Sequence, residues 1–161
     1  MQKVTLLCVG RMKEKFYLEA AAEYSKRLSR VCQLEIQEIP EERLSENPSS
    51  AEINVALARE AKLIQNKFMT SGQKGLKGLK IALCIEGKLY SSEELAELIR
   101  DTSRITFLIG GSFGLHPSIK SAADRKLSMS AMTFPHHLAR VMILEQIYRA
   151  YQINLGTRYH K

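Results

Sequence analysis

The stretch Ile105-Thr106-Phe107-Leu108-Ile109-Gly110-Gly111-Ser112-Phe113-Gly114-Leu115-His116, followed shortly by Ser128-Met129-Ser130-Ala131-Met132-Thr133-Phe134-Pro135-His136-His137, decides the fold. Its first five residues are almost continuously apolar, the pattern of a strand covered on both faces and hence of a parallel sheet. The Gly- and Ser-rich run after them fits neither helix nor strand periodicity, and Pro117 to Ala123 then reads as a short helix. Lys126 to Met129 reads as the next strand, and a second loop leads into a long helix opening at Pro135, where a missing N–H does no harm. Two loops, each leaving a strand and entering a helix, suit a cradle for a small molecule at the ends of parallel strands.

Outward from this stretch the same alternation repeats. Lys3 to Val9 and Leu34 to Ile39 read as strands, and Ile81 to Ile85 as a buried one closed by a loop at Glu86-Gly87-Lys88. Helices are expected from Phe16 to Leu28 on the stripe Phe16, Ala20, Ala21, Tyr24 and Leu28, and from Ala51 to Phe68 on Ile53, Leu57, Ala61 and Ile64, capped by Ser50. Glu41 to Ser50 reads as a surface loop, and a further helix from Glu93 to Ile99 opens on Ser91 or Ser92. Strands alternating with helices predict an α/β fold with a mainly parallel sheet, and 161 residues predict one domain, 1–161. In the last helix the apolar positions run almost all the way round, from Leu138 to Tyr151. Such a helix is buried on more than one side, either between the sheet and another helix or in a dimer interface.

The composition, 45% apolar and 25% charged, excludes a disordered chain, and no run approaches the apolar length of a membrane span. The N-terminal run lacks a signal peptide's cleavage pattern, and Cys8, Cys32 and Cys84 are odd in number and lack metal-ligand spacing. Reduced core thiols in a cytoplasmic protein, with no metal, are the expectation. The net charge of +7 makes a nucleic-acid partner reasonable, although many basic proteins bind none.

Two motifs inside the glycine loops invite sharper readings. Gly110-Gly111-Ser112-Phe113-Gly114 matches the Gly-x-Ser-x-Gly nucleophile elbow, with Asp124 and His136 in hydrolase order, but the chain is short and lacks an upstream oxyanion motif. Ser112 therefore stands as a remote nucleophile. The dinucleotide fingerprint is absent, and what remains is a loop whose glycines either let a ligand approach the backbone or close a tight turn. Gly72 to Gly78 lacks the ending of a phosphate loop and reads as a flexible connection.

Taken together, Leu83 to Lys88, Phe107 to His116, Met132 to His136, Arg140 to Arg149, the terminal Tyr159-His160-Lys161 and the opening Val9 to Lys15 resemble the ribosomal RNA large subunit methyltransferase H family, a branch of the SPOUT methyltransferases. The resemblance covers nearly the whole chain. It implies a Rossmann-like α/β domain with a C-terminal trefoil knot, a homodimer, and S-adenosyl-L-methionine as cofactor. It also implies methylation of N3 of a pseudouridine in 23S rRNA, within the assembled ribosome. Carried onto this sequence, it places the cofactor at Leu83, Gly110, Met129, Ser130, Ala131, Met132, Thr133 and Phe134.

The acceptor in that reaction is an imide N–H that must lose its proton. With the tail as a wall of the RNA pocket, His160 becomes a candidate base or, with Arg149, Arg158 and Lys161, a stabiliser of the anionic base form. Tyr159 becomes a candidate stacking surface. The rival reading from a different class is a noncatalytic RNA- or ribosome-binding factor that uses the same basic surface.

Overall fold

The computed structural model describes residues 1–70, with side chains to 67, and residues 78–161. Five strands, β1 (Lys3–Val9), β2 (Gln33–Ile39), β3 (Leu79–Leu89), β4 (Arg104–Ile109) and β5 (Arg125–Ser128), form one sheet in the order β2-β1-β4-β3-β5. Every pairing is parallel. The connections carry α1 (Lys15–Leu28), α2 (Ser50–Thr70), α3 (Ser92–Ile99) and α4 (Pro117–Ala122), and α5 (His136–Asn154) follows β5. The expected α/β fold with its parallel sheet is what forms.

Side-chain alternation along the strands builds two cores. Val4, Leu6 and Cys8 of β1, with Ile105, Phe107 and Ile109 of β4, face α1, α3 and α5. Leu7, Val9 and Leu108 face the other way, against Ala61 and Ile64 of α2 and Ile119 of α4. Both faces of the central strands are therefore covered, which is why their sequences are apolar without alternation.

The helix ends follow local chemistry. Ser91 caps α3 in a reciprocal box with Glu94. At α2 the box sits one residue earlier than expected: the Glu52 N–H donates to Ser49 Oγ (3.2 Å) and the Ser49 N–H to Glu52 Oε2 (2.6 Å), so Ser50 is already helical. α5 packs on α1 and α3, burying Ile143, Leu144, Ile147, Ala150 and Tyr151, while Leu138, Val141 and Met142 stay half-buried.

Three expectations need correction. Glu86-Gly87-Lys88 does not end β3 but lies within it, because Leu83 and Lys88 both pair with Leu127 and the four residues between them bulge from the ladder. Phe16 belongs to no core stripe and is exposed, its place in the packing taken by Tyr17. The expected connection at 72–78 falls, apart from Gly78, outside the described residues.

Candidate functional site

An open α/β sheet ordinarily takes its ligand at the carboxyl ends of its strands, where the order reverses. Here that crevice, between β1 and β4, is filled by the protein. A Cβ on Gly111 would meet Glu41 Oε1 at 2.4 Å and one on Gly10 would meet Glu41 Oε2 at 3.2 Å, so the Glu41 carboxylate lies between the two strand ends. Glu41 Oε1 accepts from the Ser112 N–H (2.7 Å), and Oε2 lies 3.9 Å from His136 Nε2. Beneath it the buried Arg140 of α5 donates to Glu38 Oε2 (2.6 Å) and to the Gly10 carbonyl (2.9 Å). Burial pushes the neighbouring Cys8 thiol up to about 12, so it stays protonated and Glu38 is the carboxylate that neutralises Arg140. Burial of Glu38 is outweighed by the Met12 N–H and Arg140, and its pKa is lowered.

With the ordinary crevice closed, open space lies beyond it, over β3, β4 and β5. A hollow of about 380 Å³ is bounded by Leu83 to Glu86, by Gly110 to Leu115, and by Thr133, Phe134 and His136. A smaller one of about 120 Å³ continues from it between Leu83 to Ile85 and Leu127 to Phe134. The larger hollow has the size of an ordinary small-molecule pocket. The β3 bulge shapes it: Cys84 to Gly87 bow out of the ladder, and a Cβ on Gly87 would come within 2.7 Å of the Lys126 backbone. Burial, with His137 beside it, holds the His136 imidazole below its ordinary pKa against the pull of Glu41, leaving a neutral ring on the wall.

The two glycine- and serine-rich loops are built differently. Gly110 to Leu115 closes on itself: the Gly114 N–H donates to the Gly111 carbonyl (3.1 Å), and Gly114 takes φ +77°. A Cβ on Gly110 would stand 2.3 Å from Gly114 C, so this glycine answers to the tight turn. From Met129 to Phe134 the local bonds run through two hydroxyls. Ser128 Oγ donates to the Ser130 carbonyl (2.9 Å), and the Met132 N–H donates to Ser130 Oγ (3.0 Å). The N–H groups of Ala131, Thr133 and Phe134 have no partner among the described residues.

Leu83, Gly110 and Met129 to Phe134 thus meet at one end of the sheet, with Ala131 the member that does not line a hollow. The Ser112 hydrolase reading fails on geometry. Asp124 lies at the opposite end of the sheet, exchanging hydrogen bonds with the Lys80 backbone at the start of β3.

The tail is not frayed, and neither loop hollow is lined by it. His160 Nε2 lies 2.7 Å from Glu93 Oε1 and its Nδ1 3.3 Å from Arg149 Nη1. A guanidinium only donates, so Nδ1 accepts and the ring proton sits on Nε2, facing Glu93. That hydrogen bond is the main cause lowering the Glu93 pKa. Arg149 is held by Glu145 (2.9 Å from Nε) and lies over the Tyr159 ring at 4.7 Å, while Tyr159 meets Tyr148 edge-on at 5.0 Å. The predicted tail residues Tyr159 and His160 form one cluster with Arg149 on α3 and α5, beside a third hollow of about 340 Å³ that includes Glu145 and Met129.

Glu41 and Arg140 were the residues that sequence reasoning missed in this role. A lone arginine on the apolar face of the last helix was the available signal for the second, and the first lay in what read as a polar loop. Among the described residues no helix is long and apolar enough to cross a membrane, and no three His, Cys, Asp or Glu side chains cluster as metal ligands.

The model of a family described as predicted SPOUT methyltransferase matches residues 2–160. The chain is 48% identical to the ribosomal RNA large subunit methyltransferase H of Bifidobacterium adolescentis, covering 99% of both chains. It is 47% identical to the protein of that name from Clostridium novyi, covering 98% of this chain and 99% of the other, and 44% identical to that of Streptococcus uberis, covering 99% of both. A solved structure described as a probable methylase family protein from Haemophilus influenzae superposes with a TM-score of 0.54 at 12% identity, covering 99% of this chain and 70% of the other. At that identity it speaks for the fold alone.

Proposed function

This chain belongs to the SPOUT methyltransferase family, with full-length relatives named as rRNA methyltransferases, and from that premise we propose that it methylates N3 of a pseudouridine in 23S ribosomal RNA on assembled ribosomes, with S-adenosyl-L-methionine as donor. The observation that carries the reading is the convergence of Leu83, the Gly110 loop and the 129–134 loop on two adjoining hollows, joined at Leu83, Thr133 and Phe134, at the carboxyl end of a parallel sheet. When bound, the cofactor supplies a methyl group made electrophilic by its sulfonium.

The residues present fit such a group. Leu83, Ile85 and Phe134 offer apolar walls, and the N–H groups of Thr133 and Phe134 in the lining are free of partners among the described residues, as donors to an adenine edge must be. In this reading Leu83, Gly110 and Met129 to Phe134 hold the cofactor. The closed turn at Gly110 to Gly114 supplies a fixed wall, which serves a displacement whose main demand is alignment.

Tyr159, His160 and Arg149 serve the acceptor base. Nδ1 of His160 carries the lone pair that would take the imide proton, and it is occupied by Arg149 while Glu93 orients the ring. Arg149, moving from Nδ1 to a carbonyl oxygen of the bound neutral base, would free Nδ1 to take the imide proton and then stabilise the anion that its removal leaves. Because the tail cluster does not line the hollow of its own chain, we take the active unit to be a homodimer. The exposed Ile85, Leu89, Phe113 and Met132 offer an apolar face for the second copy. The whole chain, 1–161, is read as one cytoplasmic SPOUT domain, with the trefoil knot of its family formed by the segments around β5 and α5.

The exposed Thr133 lines both hollows, so Thr133→Trp fills them without touching the core. Isothermal titration should show S-adenosyl-L-methionine affinity falling at least tenfold, and unchanged affinity in the folded variant would contradict the assignment. Incubating the wild-type protein with a labelled methyl donor and unmethylated ribosomes, then mapping the labelled nucleoside, separates the enzyme from a noncatalytic binding factor. Label on N3 of a pseudouridine is expected.

A further inference from the structure

The segment from the end of β1 into the first turn of α1, Arg11-Met12-Lys13-Glu14-Lys15-Phe16, lines neither loop hollow, yet it leaves the same end of the sheet. It is firmly pinned. The Gly10 carbonyl accepts from Arg140, the buried Met12 donates its N–H to Glu38 Oε2 (2.9 Å), and Glu14 Oε2 lies 3.0 Å from His137 Nδ1. Held this way, the turn presents Arg11, Lys13 and Lys15 to solvent.

The neighbouring carboxylates are already committed. Glu38 serves Arg140 and Met12, Glu14 serves His137, and Glu41 serves Ser112. Glu19 reaches Lys15 at 3.7 Å, and among the described residues Arg11 and Lys13 form no salt bridge, Arg11 acting on Glu38 only through space as the weakest of the causes that lower its pKa. Beside them Phe16 is 64% exposed at the first turn of α1, where a hydrophobic ring gains nothing for folding. Its ring starts an aromatic row that leads to the site: Phe16 to Tyr17 at 4.3 Å, Tyr17 to His137 at 6.4 Å and His137 to His136 at 4.2 Å, with His136 on the wall of the larger hollow.

We propose that this turn is a clamp for substrate RNA, in which Arg11 and Lys13 bind backbone phosphates and Phe16 stacks on an unpaired base, fixing the strand that runs to the hollow. The proposal rests on the methyltransferase reading and names the part of the surface that holds its substrate. Cations without a salt bridge among the described residues, next to an exposed π-face, are the two contacts single-stranded RNA offers regardless of sequence, phosphate and base face. An acidic protein surface would use the cations and leave Phe16 idle.

The test compares full-length Arg11→Gln/Lys13→Gln, Phe16→Ala and, as a charge-matched control, Lys26→Gln/Arg30→Gln at the far end of α1. Methylation of unmethylated ribosomes and cofactor titration are measured for each, with ribosome binding measured across a salt series. Arg11→Gln/Lys13→Gln should raise KM for ribosomes about tenfold, with kcat and cofactor affinity at wild-type values. Its slope of log affinity against log salt should be shallower by about 1.4, the loss of two phosphate contacts to a single strand. Phe16→Ala should raise KM several-fold at an unchanged salt slope. Wild-type KM and slope in the double variant, an equal loss in the Lys26/Arg30 control, or a Phe16→Ala protein indistinguishable from wild type overturns the clamp while methyl transfer persists. Failure of the wild-type protein to methylate any ribosome overturns the functional reading and the clamp with it.

Discussion

Gly110 to Leu115 and Met129 to Phe134 leave the sheet at the same end and border the same hollow, but only the first is pinned by a carboxylate from elsewhere in the chain, whereas the second touches the core through Met129. The first loop's backbone bonds across the turn, Glu41 accepts from Ser112, and Leu115 is buried in the core. The second relies on two serine hydroxyls and leaves Met132 73% exposed. A pocket with one preformed wall and one uncommitted wall can hold a ligand's position while its backbone donors remain available for recognition.

The comparison breaks most readily at the support of the firm wall. Arg140→Ala leaves the Gly10 carbonyl and the Glu38 carboxylate without their partner, and should cost about 3 kcal/mol in urea unfolding, the scale of a broken buried pair. A loss below about 1 kcal/mol would mean that β1, β2 and α5 are not joined through this residue.

Next in size is the turn itself. A Cβ at Gly110 falls 2.3 Å from backbone atoms of Gly114, so Gly110→Ala should destabilise by about 2 kcal/mol, the range of overpacked sites. It should also speed hydrogen exchange at the Gly114 amide. A larger insertion in the open loop, Ala131→Val, should stay within about 0.5 kcal/mol of wild type, as surface changes do. Equal costs at both positions would erase the distinction.

The smallest effect is in acid. The folded-state pKa of Glu38 lies below its ordinary 4.5, so its contribution is fully present above that value and is lost as pH falls through the folded pKa. The stability gap between wild type and Glu38→Gln should therefore narrow below pH 4.5 in urea melts repeated across pH. A gap that is constant with pH would show that the carboxylate charge is not what Arg140 needs.

Much of this architecture was legible in the residues. β1 runs over the residues expected, and β4 starts one residue earlier, because five or more apolar residues bounded by glycine or polar turns leave little freedom. The cap of α2 shifted by one residue because Ser49 and Ser50 are chemically equal candidates and only the reach of Glu52 distinguishes them. The β3 extension was hidden because Glu86-Gly87-Lys88 has turn composition, and a bulge in a parallel ladder depends on the partner strand, here Leu127. Leu83, Gly110 and Met129 to Phe134 were named through family resemblance, whereas the closure of the ordinary crevice by Glu41 and Arg140 is tertiary and has no local signature. Phe16 satisfied a helical stripe by spacing alone, and spacing does not say where a helix leaves its sheet.

The central claim is that the open loop completes a methyl-donor site against the closed one. It is tested most directly by amide hydrogen exchange with and without saturating S-adenosyl-L-methionine. Exchange at Thr133 and Phe134 should slow at least tenfold on addition, while the Gly114 amide, already bonded to Gly111, should change little. Unaltered exchange across 129–134 at saturating cofactor would contradict the account.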